Sequence, residues 1–372
     1  MRTLFGLIFI INFTVFSQQK PSNCGTKTPK EPYRIAGKNM RAFLQNEAQF
    51  TTPLTIKLFF TVFAENDGSS RATLDSDLLR QIQNCVNQYS SHGICFVLGG
   101  IQQINNSDLN YQDADTEESE LDPYMRPGYL NIFVHLNLEY GEDILNGISY
   151  GIPANRISLV GQVIDEPNNG NTTTMAHEIG HALGLYHTFE TAYGAESVAR
   201  SGSCADCDGD GDLLCSTPAD PDDKNNYLQN NTTNTPSSQC DYIGTRLDDC
   251  EQLYVPDVSN IMTYGWRFCR NNFTAEQGDR MRYVLLNNLQ MFLFNYLALD
   301  EIIVTADQTI SSGNEQGIAR DLYQTSPTNG YFLVNGTANF SMQAKKIQLS
   351  TNTRLSPGLG GKVQIKPNSY CN

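Results

Sequence analysis

The sequence predicts an α+β fold, and three observations carry that expectation. Segments rich in β-branched and aromatic residues recur between positions 53 and 164. Segments with helical apolar spacing stand among them and after them. Short β-like runs with turn signals fill the chain from Asp300 onward. Strands before and around long helices stack as α+β layers.

The elements follow in order. Arg2 precedes an apolar run from Leu4 to Phe16, then Ser17-Gln18-Gln19-Lys20. The run is too short to span a bilayer and reads as a secretory signal peptide, residues 1–17. Residues 18–50 are polar and carry Pro21, Pro29 and Pro32, and read as a pro-segment or extended arm. Pro53 to Phe63 reads as the first strand of a domain spanning 51–298. Leu74, Leu78, Leu79, Ile82, Val86 and Tyr89 have helical spacing, with Asp75 or Thr73 as candidate cap. Gly93 ends that unit, and Ile94 to Leu98 reads as a second strand. Cys85 and Cys95 bracket this corner as a candidate disulfide.

Asp108 to Glu120 reads as a polar acidic loop, and Tyr129 to Leu136 as a buried strand. Gly147 to Gly151 and Arg156 to Ile164 are two more strand candidates. A loop at Asn168-Asn169-Gly170-Asn171 and Thr172 to Thr174 lead into a helix. Residues 200–260, rich in Gly, Asp, Asn, Pro and Cys, read as long loops held by disulfides. Thr274 caps a further helix, with Gln277 completing a capping box, and that helix is expected to reach about Tyr296. Residues 299–372 read as a small all-β module without a tandem repeat.

Composition narrows the setting. The hydrophobic fraction of 40% over 372 residues suits a globular chain and is too low for a multispanning membrane protein. No segment beyond the leader is long and apolar enough to be a transmembrane helix. Ten cysteines fit an oxidising compartment, where most would pair, and the whole reads as secreted. Cys204-Ala205-Asp206-Cys207 lacks a second C-x-x-C and reads as a disulfide loop. A net charge of −15 repels nucleic acid and anionic lipid and suits an extracellular protein that binds calcium.

Residues 177–187 read His-Glu-Ile-Gly-His-Ala-Leu-Gly-Leu-Tyr-His and hold three of the five histidines. His177 and His181, four apart on a helix, project from one face. His187 on a continued helix would lie ~9 Å beyond His181. Ligands of one zinc, each bonded at ~2.1 Å, must lie within about 4 Å of each other. The helix must therefore stop, and Gly184 stands where the break is needed. Three histidines leave a fourth zinc position open for water, and Glu178 is placed to take its proton. His92 and His135 are isolated and read as ordinary residues.

This motif resembles that of the metzincin zinc metallopeptidases. Downstream, Met262 in Asn260-Ile261-Met262-Thr263-Tyr264-Gly265 looks like the metzincin Met-turn, an apolar floor beneath the metal. Together HEIGHALGLYHTF, GDLLCSTP, NIMTYG, Cys269 and FTAEQGDRM resemble the pappalysin family of metzincins, over roughly residues 24–290. Cys24-Gly25-Thr26 resembles a short motif of bacterial members. The resemblance implies a twisted mixed sheet, a zinc helix, a Met-turn and a C-terminal helix. It also implies a secreted endopeptidase acting on proteins or peptides, with His177, His181 and His187 as zinc ligands, Glu178 as general base and Tyr264 on the oxyanion side. The substrate would pair with the upper strands as an added strand.

Three points are particular to this chain. Ser216 stands where the family usually has an aspartate, within its calcium arrangement. Asp206, Asp208, Asp210 and Asp212 still give the oxygen spacing that opens a calcium loop, with Thr217 in place of the closing glutamate. Arg267 stands where family members that cleave before arginine carry an acid, so a pocket there would repel a P1′ arginine and favour an acidic or polar side chain. Cys24 has two readings, a thiolate that occupies the open zinc position and enforces latency, or a disulfide partner. The stretch from Leu355 to Cys371 resembles terminal β modules of secreted Bacteroidetes-type proteins, for attachment or as a stabilising appendage. The rival reading of the whole is a non-catalytic extracellular binding protein that keeps the metal for structure; an intact Glu178 argues against it.

Overall fold

The structure is a computed structural model and describes residues 24–30, 53–165, 172–221, 240–293, 301–319, 322–344 and 346–367. The leader and the 168–171 loop lie outside these residues, as does most of the 18–50 segment.

The first eight strands are β1 Leu54–Ala64, β2 Ile94–Asn105, β3 Tyr111–Asp113, β4 Leu130–His135, β5 Asn137–Tyr140, β6 Asp143–Ile144, β7 Gly147–Ser149 and β8 Arg156–Val160. Five of them form one sheet in the order β2-β1-β4-β8-β7. All neighbours are parallel except β7, which runs antiparallel to β8 at the edge. The sheet is therefore the mixed one expected of an α+β domain. β1 alternates between two cores, as a period of two requires. Leu54, Ile56, Leu58, Phe60 and Val62 join the main core, while Phe63 packs with Leu109, Leu121 and Phe133 on the other face. Burial on both faces explains why LTIKLFFTVFA reads as a nearly unbroken apolar run.

The helices are α1 Asp75–Tyr89, α2 Ser107–Asn110, α3 Gly161–Asp165, α4 Thr174–Ala182 and α5 Ala275–Asn287. α1 buries Leu78, Ile82, Cys85, Val86 and Tyr89 against the main core, and the Tyr89 hydroxyl donates to Ala176 O at 2.6 Å, tying α1 to α4. Gly93 closes the unit at φ +64°. The cap of α1 is Leu74, with no side-chain hydrogen bond, so neither Asp75 nor Thr73 takes that role. Cys85 is a free buried thiol, so the expected Cys85–Cys95 bridge is not formed. The second strand runs seven residues past Leu98 because its whole length pairs with β1. The acidic 108–120 stretch holds α2, β3 and the start of a 3-10 turn at Glu118–Tyr124 rather than an open loop. The strand from Arg156 gives way to α3 after Val160. α5 has the capping box at Thr274 and Gln277 but ends at Asn287, followed by a 3-10 turn at Gln290–Phe292.

Beyond residue 300 stand β9 Glu301–Val304, β10 Gln308–Ile310, β11 Asn314–Ile318, β12 Leu322–Thr325, β13 Phe332–Val334, β14 Asn339–Ala344, β15 Lys346–Leu349, β16 Thr353–Leu355 and β17 Lys362–Pro367. They pair only in parallel, as β9-β12-β15, β10-β13-β16 and β11-β14-β17. Glu301 thus sits beside Leu322, and Leu322 beside Lys346. Three successive turns of chain, three strands each, stack into a parallel coil around Ile310, Tyr323, Phe332, Val334, Phe340 and Met342. The all-β character agrees with the sequence; the threefold structural repeat has no counterpart in residue identity.

Candidate functional site

α4 carries the motif and is buried along its whole length. Gly184 breaks it at φ +94°, and a Cβ there would meet Val284 Cγ2 of α5 at 2.8 Å. Glycine is thus required both by the backbone and by the packing. The reversal returns His187 to the other two histidines. The three Nε2 atoms lie 3.2 Å (His177–His181), 3.2 Å (His177–His187) and 3.1 Å (His181–His187) apart.

Those spacings suit a shared cation. His177 Nδ1 lies 2.7 Å from Ile261 O, and His181 Nδ1 lies 2.8 Å from Leu185 O. A carbonyl oxygen only accepts, so each Nδ1 carries the proton and each Nε2 is a bare lone pair. Burial also holds both rings neutral, His181 down to about 4 and His177 well below its ordinary value, with the neighbouring His181 adding to the latter. Lone pairs converging at this distance repel one another unless a cation lies between them. Tetrahedral zinc with ~2.1 Å bonds sets nitrogen ligands ~3.4 Å apart, so the donor set fits that ion. Cys24 is the fourth member of the cluster, all four ligand atoms lying within 4.8 Å of one another.

The floor and the walls come from distant segments. Met262 is fully buried, and a Cβ on Gly180 of α4 would meet its sulfur at 2.6 Å. Met262 N donates to Asn260 Oδ1, and Asn260 Nδ2 donates to Gln277 Oε1 at 2.9 Å, anchoring this turn to the capped start of α5. The Tyr264 ring is 4.9 Å from that of His187 and 4.5 Å from that of Phe189, and its hydroxyl donates to Cys24 O at 3.2 Å. Glu178 is buried, and burial pushes its carboxyl up to about 8 against the hydrogen bonds of Cys24 and Thr26 and the charge of Arg270.

The N-terminal residues 24–30 lie across this site. Cys24 pairs with Gly147 of the edge strand β7 in a parallel bridge, and Gly25 N donates to Gly147 O at 3.0 Å. Cys24 Sγ lies 3.4 Å from Glu178 Oε2, and Thr26 Oγ1 donates to the same oxygen at 3.1 Å. Farther along, Thr28 Oγ1 donates to the Glu190 carboxylate, and Tyr193 donates to Pro29 O at 2.8 Å. Burial, with Glu178 beside it, raises the Cys24 thiol well above its ordinary value. The thiol is free, so Cys24 is not a disulfide partner here.

The loops of 200–260 are stapled by Cys204–Cys250, Cys207–Cys215 and Cys240–Cys269. Among the described residues the four aspartates form no shared group of ligand atoms. Asp206 accepts from Ser197 N and Oγ at 2.8 and 2.6 Å, Asp208 is exposed, and Asp210 lies against Gly194. Asp212 is 1% exposed, its Oδ2 makes no hydrogen bond among the described residues, and burial raises it to about 7. Its partner was not legible in sequence. Glu196 is 3% exposed, with Oε1 3.0 Å from Arg200 and Oε2 without a hydrogen bond among the described residues, and burial followed by Asp212 raises it to about 9. Ser216 serves α5 instead, its N donating to Glu276 Oε2 and its Oγ to Thr274 Oγ1, both at 2.8 Å. Arg267 is half-buried beside the start of α4, its carbonyl accepting from Thr173 Oγ1 at 3.4 Å. Arg270, which no motif marked, is fully buried behind the Met262 turn and donates to Thr263 O at 3.1 Å.

Comparison with known proteins agrees with this chemistry. Residues 110–286 match the family Peptidase_M43, described as pregnancy-associated plasma protein-A. Proteins named extracellular metalloprotease are similar to this chain. That of Sordaria macrospora is 27% identical over 70% of this chain and 87% of its own length. That of Arthroderma otae is 30% identical over 69% of this chain and 88% of its own. Among solved structures, mature mirolysin of Tannerella forsythia in complex with a cleaved peptide is 19% identical with a TM-score of 0.43, covering 62% of this chain and 91% of that one. A promirolysin variant is 16% identical with a TM-score of 0.47, covering 72% and 95%.

Proposed function

We propose, for a chain that belongs to the Peptidase_M43 family, that this extracellular zinc metallopeptidase is an endopeptidase held latent by its own N-terminal segment. The observation that carries the reading is the convergence of three histidine Nε2 atoms, those of His177 and His181 left unprotonated by their Nδ1 partners, beside the buried Glu178. His177, His181 and His187 would hold the zinc. Bound there, it supplies a Lewis acid that polarises a carbonyl and lowers the pKa of water to near ~7.

The residues divide the remaining work. Glu178 accepts the proton of the attacking water and later delivers it to the leaving amine. The Tyr264 phenol, once released from Cys24 O, donates to the oxyanion of the scissile carbonyl. Edge strand β7, bridged by Cys24 in the latent chain, is the backbone rail on which a substrate would lie. Cys24, whose Sγ belongs to the ligand cluster, would take the open ligand position, and the bonds of Cys24 and Thr26 to Glu178 support latency. Calcium would be held by Glu196 and Asp212, each of which keeps one buried oxygen, Oε2 and Oδ2, without a hydrogen bond among the described residues, rather than by Asp206, Asp208 and Asp210.

The test is cleavage of a diverse peptide library by the full chain before and after limited proteolysis of its N-terminal segment. Chelator-sensitive cleavage that appears after trimming, and is absent from Glu178→Ala, is the expected result. A folded, trimmed, zinc-bound chain that cuts nothing would return the protein to the binding-protein reading.

A further inference from the structure

Arg270 is a buried cation whose guanidinium forms no ion pair within 4 Å among the described residues, although the Glu178 charge acts on it from farther away. It is 1% exposed, its Nη1 is fixed on Thr263 O, and its Nε and Nη2 have no hydrogen-bond partner among the described residues. Those two nitrogens share one edge of the guanidinium, the edge whose parallel N–H bonds match a carboxylate. The Trp266 indole N–H is a further buried donor without a partner among the described residues, and the backbones of the two residues are joined by Arg270 N donating to Trp266 O at 3.3 Å. Every unsatisfied atom here is a donor. Burying a charge unpaired is costly, and a chain of net charge −15 has carboxylates to spare.

The place of this edge is equally specific. The segment from Trp266 to Arg270 links the Met262 turn to α5 and runs beside the start of α4, through the bond from Thr173 to Arg267 O. The Arg270 charge acts on Glu178, Tyr264 and Cys24, so it lies within electrostatic reach of the reacting groups. Arg267 adds a second positive charge on the same segment and disfavours that of Arg270. A carboxylate that reached this segment would meet two positive charges.

We propose that the Nε–Nη2 edge of Arg270, with the Trp266 indole N–H, is the floor of a carboxylate-accepting subsite, and that the enzyme selects Asp or Glu immediately after the scissile bond. This rests on the peptidase reading above and deepens it. Arg270 would be a specificity residue that touches substrate.

The experiment uses the full chain matured by limited proteolysis, with peptides that differ only after the scissile bond (Asp, Glu, Ala, Lys). Wild type is expected to show kcat/KM at least tenfold higher for Asp or Glu than for Ala, and higher still against Lys. Arg270→Met, which keeps length and loses charge, should bring the Asp-to-Ala ratio to about one. Arg270→Lys, which keeps charge and loses the fork, should fall between and serves if the Met variant does not fold. Binding is read separately in the Glu178→Ala background by emission of Trp266, the single tryptophan of the chain. Acidic peptides should saturate that signal at concentrations at least tenfold lower than the Ala peptide, and Arg270→Met should abolish the difference. Equal or reversed preference in wild type, or a preference that survives Arg270→Met or Arg270→Lys undiminished in folded protein, would overturn the proposal. Cleavage without acid preference defeats this subsite alone; acid-selective binding without any cleavage supports the subsite and defeats the peptidase reading.

Discussion

Thr26 Oγ1 donates to Glu178 Oε2 at 3.1 Å while accepting from Ser149 N at 2.7 Å. One hydroxyl from the N-terminal segment thus ties the buried carboxylate to the edge strand. Cys24 shares the same carboxylate oxygen. Full-length Cys24→Ala should therefore cut a quenched peptide at least tenfold faster than the full-length wild type, without trimming. A variant as silent as wild type, while the trimmed chain is active, would move the block to residues 26–30.

Gly184 should tolerate no side chain. Alanine at a positive φ costs on the order of 1–2 kcal/mol before the contact with Val284 is counted. Gly184→Ala should lower the melting temperature and weaken zinc in a chelator competition, because His187 depends on that reversal. Unchanged zinc affinity would show that the third ligand is positioned by other contacts.

Tyr264 should act mainly in the transition state. Tyr264→Phe removes the hydroxyl and keeps the ring beside His187 and Phe189. The expected loss is on the order of 100-fold in kcat, with KM little changed. A loss confined to KM would make the phenol a substrate-binding group only.

Stability should fall with pH unless calcium is present. Asp212 and Glu196 are raised to about 7 and about 9, above ordinary values of about 4. The folded chain then holds more protons than the unfolded one between those limits, so their contribution is full below about pH 4 and is lost as pH rises through 7 and 9. A bound cation replaces the protons. Calcium at about 100 times its Kd adds roughly 2.7 kcal/mol. Calorimetry should show a melting temperature that falls from pH 5 to pH 9 without calcium, and a calcium effect that grows with pH and disappears in Glu196→Gln. Equal calcium effects at pH 5 and pH 9 would contradict this assignment.

Much of the centre was legible because it is local. His177, Glu178, His181, Gly184 and His187 lie within a single stretch, where helical spacing and one break fix their relation. Met262 and Tyr264 were legible as a turn with a recognisable surround. Glu196 was not, because it meets Asp212 only through the stapled loop fold. Arg270 showed its charge in the sequence but not its burial, and burial is what gives the charge meaning. The spacing of Asp206, Asp208 and Asp210 showed three acids in one loop but not their separate surroundings, Asp206 being bonded by Ser197 and Asp208 exposed. The stacked coil after residue 300 escaped notice because backbone ladders hold it. Its inward positions need only be apolar, and Ile310, Val334 and Met342 satisfy that without repeating one another.

The most direct measurement is zinc titration of the chelated, N-terminally processed chain, reading bound metal and peptide cleavage together. Activity should rise linearly and stop at one zinc per chain, and Glu178→Gln should bind the same single zinc with cleavage lower by 100-fold or more. Activity that does not saturate at one equivalent, or a Glu178→Gln variant that cuts like wild type, would contradict a single three-histidine centre served by Glu178.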